Sequence, residues 1–188
     1  MRLVLASASP RRAELLKTAG FSFDVRPAHV DETPRGAEGP AGYALRVARD
    51  KAAAAALDCR ESGSAVLAAD TVVVANGEIL GKPVDDADAR RMLKTLSGAV
   101  HEVHTAVVLV TDVAQREELV TTRVRVLPLG DDEISWYIAS GETRGKAGAY
   151  AIQGCAARFI DHIEGSWSNV VGLPIATVYR MLKELRYS

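Results

Sequence analysis

Two arginines stand at the start of a predicted helix, where the helix itself disfavours them. In the stretch LASASPRRAELL, Ser9 and Pro10 form an N-cap and first-turn signature, and Arg11 and Arg12 follow directly. A helix N-terminus carries about half a positive charge, so a cation there costs roughly 0.3–1 kcal/mol. An anion bound between the guanidinium groups and the free backbone N–H groups reverses that effect. The pattern indicates half of a phosphate site, the alternative being two solvent-exposed arginines.

Two acidic positions suit a metal beside such a phosphate site. Asp70 interrupts the apolar run AVLAADTVVVA, where a carboxylate is costly unless cations, hydrogen bonds or a metal match it. Glu32 lies in the DET stretch before Pro34, in a loop that follows a predicted strand. Carboxylates of this kind suit Mg²⁺ or Mn²⁺ held largely by substrate phosphates, so Glu32 and Asp70 are the expected metal ligands. Taken separately, DET is an ordinary solvated turn and Asp70 a strand-end residue.

The NG dipeptide at 76–77 predicts a hairpin with a type I′ turn. Counting outward from the turn pairs Thr71 with Lys82 and places Asp70 one position further along the strand. An acid and a lysine are then expected close together at one end of the ribbon. The alternative is an exposed lysine beside a strand-end aspartate.

A second lysine lies on the long predicted helix PAGYALRVARDKAAAAAL. Lys51 shares a helical stripe with Tyr43 and Val47, at the edge of the apolar face rather than on the charged side. This position suits a lysine turned towards a buried anion. A lysine whose aliphatic stem covers core surface accounts for it equally well.

The stretch GETRGKAGAYAIQG resembles a P-loop but fails as one. Its glycine spacing is one residue short, and Ala147 stands where the metal-binding Ser or Thr belongs. It remains a glycine-rich loop from which Lys146 and Gln153 can approach a ligand, and the Gln153 amide can bind the edge of a base. The alternative is a plain flexible loop.

Alternating strands and helices must position these residues. Apolar recurrence every 3.6 residues predicts the helices, and β-branched runs or alternation predict the strands. The predicted strands are 2–6, 21–27, 65–75, 78–81, 100–111, 117–128 and 156–163. The predicted helices are 10–19, 40–57, 85–96, 131–139 and 173–185. This order indicates an α/β fold with a mixed central sheet, in which the polar stretches 31–40 and 140–155 are loops that frame a cleft.

Composition limits the classes of protein and partner. The chain has 188 residues, 48% of them hydrophobic and 25% charged, with a formal net charge of −1, which predicts one globular domain over 1–188 or two lobes sharing a core. No basic field or polybasic tail attracts nucleic acid. The N-terminal apolar stretch is too short for a signal peptide, and no apolar run spans a membrane, so we expect a cytoplasmic protein. Cys59 and Cys155 are expected to be reduced thiols.

Together the cations and acids match a triphosphate, which carries about four negative charges near neutral pH and whose anhydride bonds are cleaved by positioning and charge neutralisation. The motifs LASASPRRAELL, DET, ARDKA, AADTVVV…GEILGKP, LSG, HTAV, GKAGAYAIQG and VVGLP, in this order, resemble the Maf family of nucleoside triphosphate pyrophosphatases over nearly the whole chain. The resemblance implies an elongated, two-lobed α/β fold around a deep active-site cleft, similar to inosine triphosphate pyrophosphatases. It also implies metal-dependent hydrolysis of a nucleoside triphosphate to the monophosphate and pyrophosphate.

The resemblance is to one branch of that family. Arg11, Thr71 and Gln153 match the branch that acts on dTTP and UTP, whereas the branch that acts on 7-methyl-GTP typically has Trp, Gln and a charged residue there. The resemblance implies that dTTP and UTP, or modified pyrimidine nucleotides, are the substrates and that Asp70 is the proton acceptor. The expected catalytic residues are Asp70, Glu32, Lys51 and Lys82. The expected nucleotide-binding and specificity residues are Ser7, Arg11, Arg12, Thr71, Lys146 and Gln153.

Two other functions stay open on the sequence. One is a 7-methyl-GTP pyrophosphatase of the same family, and the other is a nucleotide-binding regulator of septum formation and cell division that does not turn its ligand over. In each case the expected partner is a nucleoside triphosphate with a divalent cation, without nucleic acid or membrane. A homodimer is a further open alternative.

Overall fold

The computed structural model describes residues 2–36, 38–59 and 63–185. Its strands are β1 (Arg2–Leu5), β2 (Phe23–Val25), β3 (Ser64–Ala75), β4 (Glu78–Leu80), β5 (Val100–Val110), β6 (Gln115–Val126) and β7 (Ile160–Glu164). Its α-helices are α1 (Pro10–Thr18), α2 (Pro40–Asp58), α3 (Asp86–Leu96), α4 (Asp131–Ala139), α5 (Trp167–Val171) and α6 (Ile175–Glu184). Two 3₁₀ turns, Ala147–Ala149 and Cys155–Phe159, lie between α4 and β7.

The strands form one mixed sheet in the order β2-β1-β3-β5-β6-β7, with β4 paired to β3. β1 is parallel to both β2 and β3, whereas the β3–β4 and β6–β7 pairs are antiparallel. The predicted α/β fold with a mixed sheet is therefore confirmed. In the part of the chain that the structure describes, no helix has the length and apolarity needed to cross a membrane. Both cysteines are free thiols.

The chain divides into two compact units, the first comprising residues 1–71, 105–120 and 172–188. β1 and the first part of β3 are continuous apolar runs, as expected for parallel strands covered on both faces. Leu5, the last residue of β1, pairs with Leu67, and β3 continues beyond this pair. Ser7 therefore follows the end of β1, and Asp70 lies within β3 three positions after Leu67. The buried core of this unit contains Leu3, Leu5, Leu16, Leu67, Ala69, Val107, Leu109, Leu173, Val178 and Met181.

The second unit comprises residues 72–104 and 121–171. Its β3–β4 hairpin turns at Asn76 and Gly77, whose φ angles of 53° and 80° fit the predicted type I′ turn. The ladder ends at Val73 and Leu80, before it reaches the predicted pairing of Thr71 with Lys82. This hairpin register therefore does not extend as far as the sequence predicts.

Helix ends follow local chemistry. Ser9 is the N-cap of α1 and Pro10 lies in its first turn, although the Ser9 side chain makes no capping bond. Gly20, with φ of +80°, follows the end of α1 and lets the chain leave the helix. At α3 the Asp85 carboxylate caps the helix by accepting a hydrogen bond from the Asp88 backbone at 2.7 Å.

The predicted strand 156–163 is partly wrong. The stretch from Cys155 to Phe159 is a 3₁₀ turn, and β7 begins only at Ile160. Ala156 and Phe159 are both buried and lie three residues apart, a spacing that puts them on one face of a 3₁₀ turn. The predicted helix 173–185 begins at Ile175, because Pro174 serves as its N-cap. The short helix α5 was not predicted.

Candidate functional site

Three charged side chains of the first unit converge on one point. The Lys51 ammonium lies 2.7 Å from a Glu32 oxygen and 2.8 Å from an Asp70 oxygen. Lys51 and Asp70 are 9% and 7% exposed, whereas the Glu32 side chain is 43% exposed. The lysine that contacts Asp70 is thus Lys51, from α2, rather than the predicted Lys82. The reading of Lys51 as a lysine that only covers core surface is wrong.

Burial dominates the electrostatics of Asp70. Desolvation raises the pKa of the Asp70 carboxyl above its ordinary value, although the Lys51 ammonium and the Arg12 guanidinium both act to lower it. Replacing a buried ion pair by apolar residues is often neutral or stabilising, so fold stability alone gives little reason for such a cluster. Buried carboxylates with perturbed pKa values concentrate at functional sites.

The loop that carries Glu32 is tied to α2 by its backbone. The Tyr43 hydroxyl donates a hydrogen bond to the Glu32 carbonyl oxygen at 2.8 Å, and Arg46 donates to the Thr33 carbonyl oxygen at 3.1 Å. Burial, together with the nearby Asp70 and Glu32 carboxylates, raises the pKa of Tyr43 to about 12, so its hydroxyl stays a donor at neutral pH. One helix therefore supplies both Lys51 and the groups that hold its acidic partner.

Arg12 turns inward from the start of α1 and is buried, so the solvent-exposed alternative is wrong for it. Its Nε donates to the Gly172 carbonyl oxygen at 2.8 Å, Nη1 to the Ser7 hydroxyl at 3.1 Å, and Nη2 to the Thr71 hydroxyl at 3.1 Å. None of these acceptors is a carboxylate. A guanidinium has five N–H donors, so among the described residues two remain for an anion. Arg11 is half-buried beside it.

The Thr71 hydroxyl is engaged within the protein. It accepts from Arg12, lies 3.3 Å from the Gly172 carbonyl oxygen and 3.0 Å from the Thr105 hydroxyl. This hydroxyl therefore helps to orient the guanidinium. A role for Thr71 in base specificity stays a prediction.

The remaining predicted site residues belong to the second unit. Lys82 and Gln153 are exposed, and Lys146 is half-buried. The Gly148 N–H donates to the carbonyl oxygen of Gly81 at 3.0 Å, which ties the glycine-rich loop to the residue before Lys82. The loop is thus ordered by backbone contacts, and the plain flexible loop is not what the structure shows.

Gly148 is held where only glycine fits. Its φ is +68°, and a Cβ there would lie 2.9 Å from Val73 Cγ1. Gly148→Ala is expected to lower the free energy of unfolding by about 2–4 kcal/mol, combining left-handed strain with overpacking. Gly145→Ala is the matched control, because Gly145 has a φ of +69° but nothing within 4 Å of a Cβ. Urea denaturation gives the free energy of unfolding of both variants. The difference between their losses is the cost of the contact with Val73, and equal losses would contradict a steric contribution.

The first unit brings six predicted site residues together in two contact groups. One group is Ser7, Arg12 and Thr71, and the other is Glu32, Lys51 and Asp70. Sequence reasoning missed Gly172 and Thr105 as contacts of this cluster, although the motifs VVGLP and HTAV contain them. It also missed that Tyr43 anchors the Glu32 loop, although Tyr43 was placed on the Lys51 stripe.

The fold has a counterpart among solved structures. A HAM1 protein from Coxiella burnetii matches with a TM-score of 0.51 and 17% sequence identity, covering 100% of both chains. At this identity the likeness shows the fold alone. It places the chain in the α/β class that this HAM1 protein represents.

The family follows from sequence. The family model described as Maf-like protein matches residues 2–185, and the chain belongs to the Maf family. A relative from Koribacter versatilis, named dTTP/UTP pyrophosphatase, is 52% identical over 97% of this chain and 94% of its own length. A relative of the same name from Geobacter sulfurreducens is 51% identical over 98% of this chain and 96% of its own length.

Proposed function

We propose that this chain hydrolyses dTTP and UTP to the nucleoside monophosphate and pyrophosphate. The observation that carries the reaction type is the buried Asp70 carboxylate, held by Lys51 in the same unit as a buried Arg12 whose contacts include no carboxylate. This unit therefore contains a base, Asp70, and a cation, Arg12, whose remaining N–H donors are able to bind an anion. The choice of nucleotide is supported by the names of relatives that share about half of the chain's residues.

The reaction is an attack of water on the α-phosphorus. A new P–O bond forms from the water oxygen, the bond between the α-phosphorus and the α,β-bridging oxygen breaks, and its electron pair leaves with pyrophosphate. Asp70 accepts the proton that the attacking water loses. Because burial raises the pKa of the Asp70 carboxyl, its carboxylate is a stronger base than an exposed one.

The cations bind and orient the phosphates. Arg12 presents its two remaining N–H donors in a fixed plane, because three contacts already hold the guanidinium. Arg11 and Ser7 complete this phosphate subsite at the start of α1. Lys51 contacts both the Asp70 and the Glu32 carboxylates. Three more residues are proposed to bind the nucleotide on the basis of the sequence motifs alone: Lys82, Lys146 and Gln153.

Glu32 and Asp70 would hold a divalent cation, Mg²⁺ or Mn²⁺. Their fit is supported by the Lys51 ammonium, because both carboxylates already converge on this one cationic group at 2.7 and 2.8 Å. Across the described residues there is no group of three or more His, Cys, Asp or Glu side chains able to hold a metal, so phosphates and water must supply the other ligands. This donor set is typical of Mg²⁺. When bound, the cation neutralises charge on the phosphates.

Product analysis tests the proposal. Purified protein with Mg²⁺ is incubated with dTTP, UTP, CTP, GTP, 7-methyl-GTP and ITP, and pyrophosphate, orthophosphate and monophosphate are quantified. We expect dTMP and UMP, each with equimolar pyrophosphate, and much slower turnover of the purine nucleotides. A parallel reaction with excess chelator controls for the divalent cation.

Three outcomes would overturn the proposal. Release of orthophosphate in place of pyrophosphate would mean that a different bond is cleaved. A clear preference for 7-methyl-GTP would assign the chain to the other branch. Saturable nucleotide binding without any turnover would favour the regulator of cell division.

A further inference from the structure

The loop that carries Gln153 is anchored on its N-terminal side by a buried tyrosine. The Ala151 N–H donates to the Tyr137 hydroxyl at 3.1 Å, and Tyr137, from α4, is 1% exposed. Burial raises the pKa of this hydroxyl, an effect to which the nearby Glu142 carboxylate adds. The hydroxyl therefore stays protonated and neutral while it accepts the Ala151 hydrogen bond. Ala151 lies two positions before Gln153.

On the other side the same loop is anchored by a carboxylate. The Cys155 N–H lies 3.0 and 2.8 Å from the two Glu142 oxygens, and Cys155 lies two positions after Gln153. Burial alone would raise the pKa of Glu142, but hydrogen bonds from Cys155 and Tyr137 outweigh it and hold the pKa below its ordinary value. Glu142 thus acts as a charged hydrogen-bond acceptor throughout the neutral range.

Gly154 permits this close approach of the carboxylate. A Cβ at Gly154 would lie 2.6 Å from Glu142 Oε1 and 2.7 Å from its Cδ, closer than real contacts allow. The Gly154 N–H also donates to the Ala151 carbonyl oxygen at 3.0 Å, which closes the turn around Gln153. A side chain at position 154 would therefore have to displace the Glu142 carboxylate, although the backbone conformation of Gly154 is itself accessible to other residues.

Gln153 itself is held only through this backbone. Its side chain is exposed, and among the described residues it makes no hydrogen bond. Its amide is therefore available to a ligand, while its position depends on the two neighbouring anchors. The Glu142 carboxylate and the Tyr137 hydroxyl also interact with each other through a side-chain hydrogen bond, so the two anchors are coupled.

We infer that Glu142 and Tyr137 are positioning residues for Gln153 and thereby set the preference among nucleotide bases. The inference rests on the proposed function, because it presumes that the Gln153 amide binds the base. Neither anchor needs to touch the nucleotide. Tyr137 acts on the Gln153 side-chain amide through its hydrogen bond from the Ala151 N–H, and Glu142 acts through its hydrogen bond from the Cys155 N–H.

A double-mutant cycle with UTP and CTP tests the inference. These substrates differ only at the edge of the base, so the ratio of their kcat/KM values cancels effects on the phosphates. We expect Glu142→Ala to reduce this ratio about tenfold, the loss of roughly one hydrogen bond. In a Gln153→Ala background the same change should leave the ratio within about twofold, because the amide that it positions is gone.

Two further variants keep the test decisive. Glu142→Gln retains an acceptor oxygen for Cys155 and should restore the ratio to within about threefold of the wild type. Tyr137→Phe removes only the hydroxyl. It can therefore replace Glu142→Ala in the double-mutant cycle with Gln153→Ala if Glu142→Ala does not fold. A ratio that falls equally in both backgrounds, or a Gln variant as impaired as the Ala variant, would overturn the inference. Wild-type protein that hydrolyses neither nucleotide would contradict the proposed function instead.

Discussion

Asp70→Asn is expected to lower kcat for dTTP by about 10²–10⁴-fold, the usual contribution of a general base. The amide keeps the size of the carboxyl group and an oxygen 2.8 Å from Lys51, but it does not accept a proton from water. Substrate binding should change far less, because the substitution leaves Arg12, the proposed phosphate-binding residue, and its three hydrogen bonds untouched. Pyrophosphate release under saturating dTTP measures the effect, and near-normal kcat in this variant would refute the role of Asp70 as the base.

The stability of the same variant has a predictable dependence on pH. The pKa of the Asp70 carboxyl is raised in the folded protein, so folding favours its protonated form. That contribution is fully present below the ordinary carboxyl pKa and is lost as pH rises through the raised value. The uncharged Asn side chain lacks this dependence. Urea denaturation should therefore show that the wild type loses stability relative to Asp70→Asn as pH rises across this window, and the opposite slope would contradict a raised pKa.

Local patterns were sufficient to predict most of the fold. The type I′ turn was predicted from two residues that accept positive φ. The α2 stripe placed Lys51 beside the apolar face, and the structure shows that this lysine is buried. The 3₁₀ turn from Cys155 to Phe159 was missed because a short apolar stretch reads equally well as a strand. Periodicity cannot separate the two when the run is only a few residues long.

The partners of the site residues could not be predicted in the same way. Asp70 was matched with the lysine nearest in the hairpin, whereas its contact is Lys51, 19 positions earlier on a packed helix. Arg12 was expected to need an anion, and the structure adds a carbonyl acceptor at Gly172, 160 positions away. Contacts of this separation arise from the packing of α1, α2 and β3, on which residue spacing carries no information. The sequence therefore predicts which residues belong to the candidate site, but not which of them contact one another.

Lys51→Met is expected to move the acidic limb of the pH–kcat profile to higher pH. Of the groups that lower the pKa of Asp70, Lys51 is the strongest, and without it only Arg12 opposes the desolvation that raises this pKa. Asp70 must lose its proton to act as a base, so the variant should be nearly inactive where the wild type is active and should recover partly as pH rises. Lys51→Arg keeps the charge and should keep the limb near its wild-type position.

The stability of Lys51→Met supplies an independent readout. Removing one partner of a buried ion pair costs about 3–5 kcal/mol, and the lower end applies here because the Arg12 guanidinium still acts on the Asp70 carboxylate. The loss should be largest where Asp70 is charged and should diminish as pH falls and the carboxyl is protonated. If Lys51 acted only by binding phosphate, KM would rise at every pH while the acidic limb and the pH dependence of unfolding stayed in place. The combination of a shifted limb with a pH-dependent loss of stability therefore distinguishes control of the Asp70 proton from simple substrate binding.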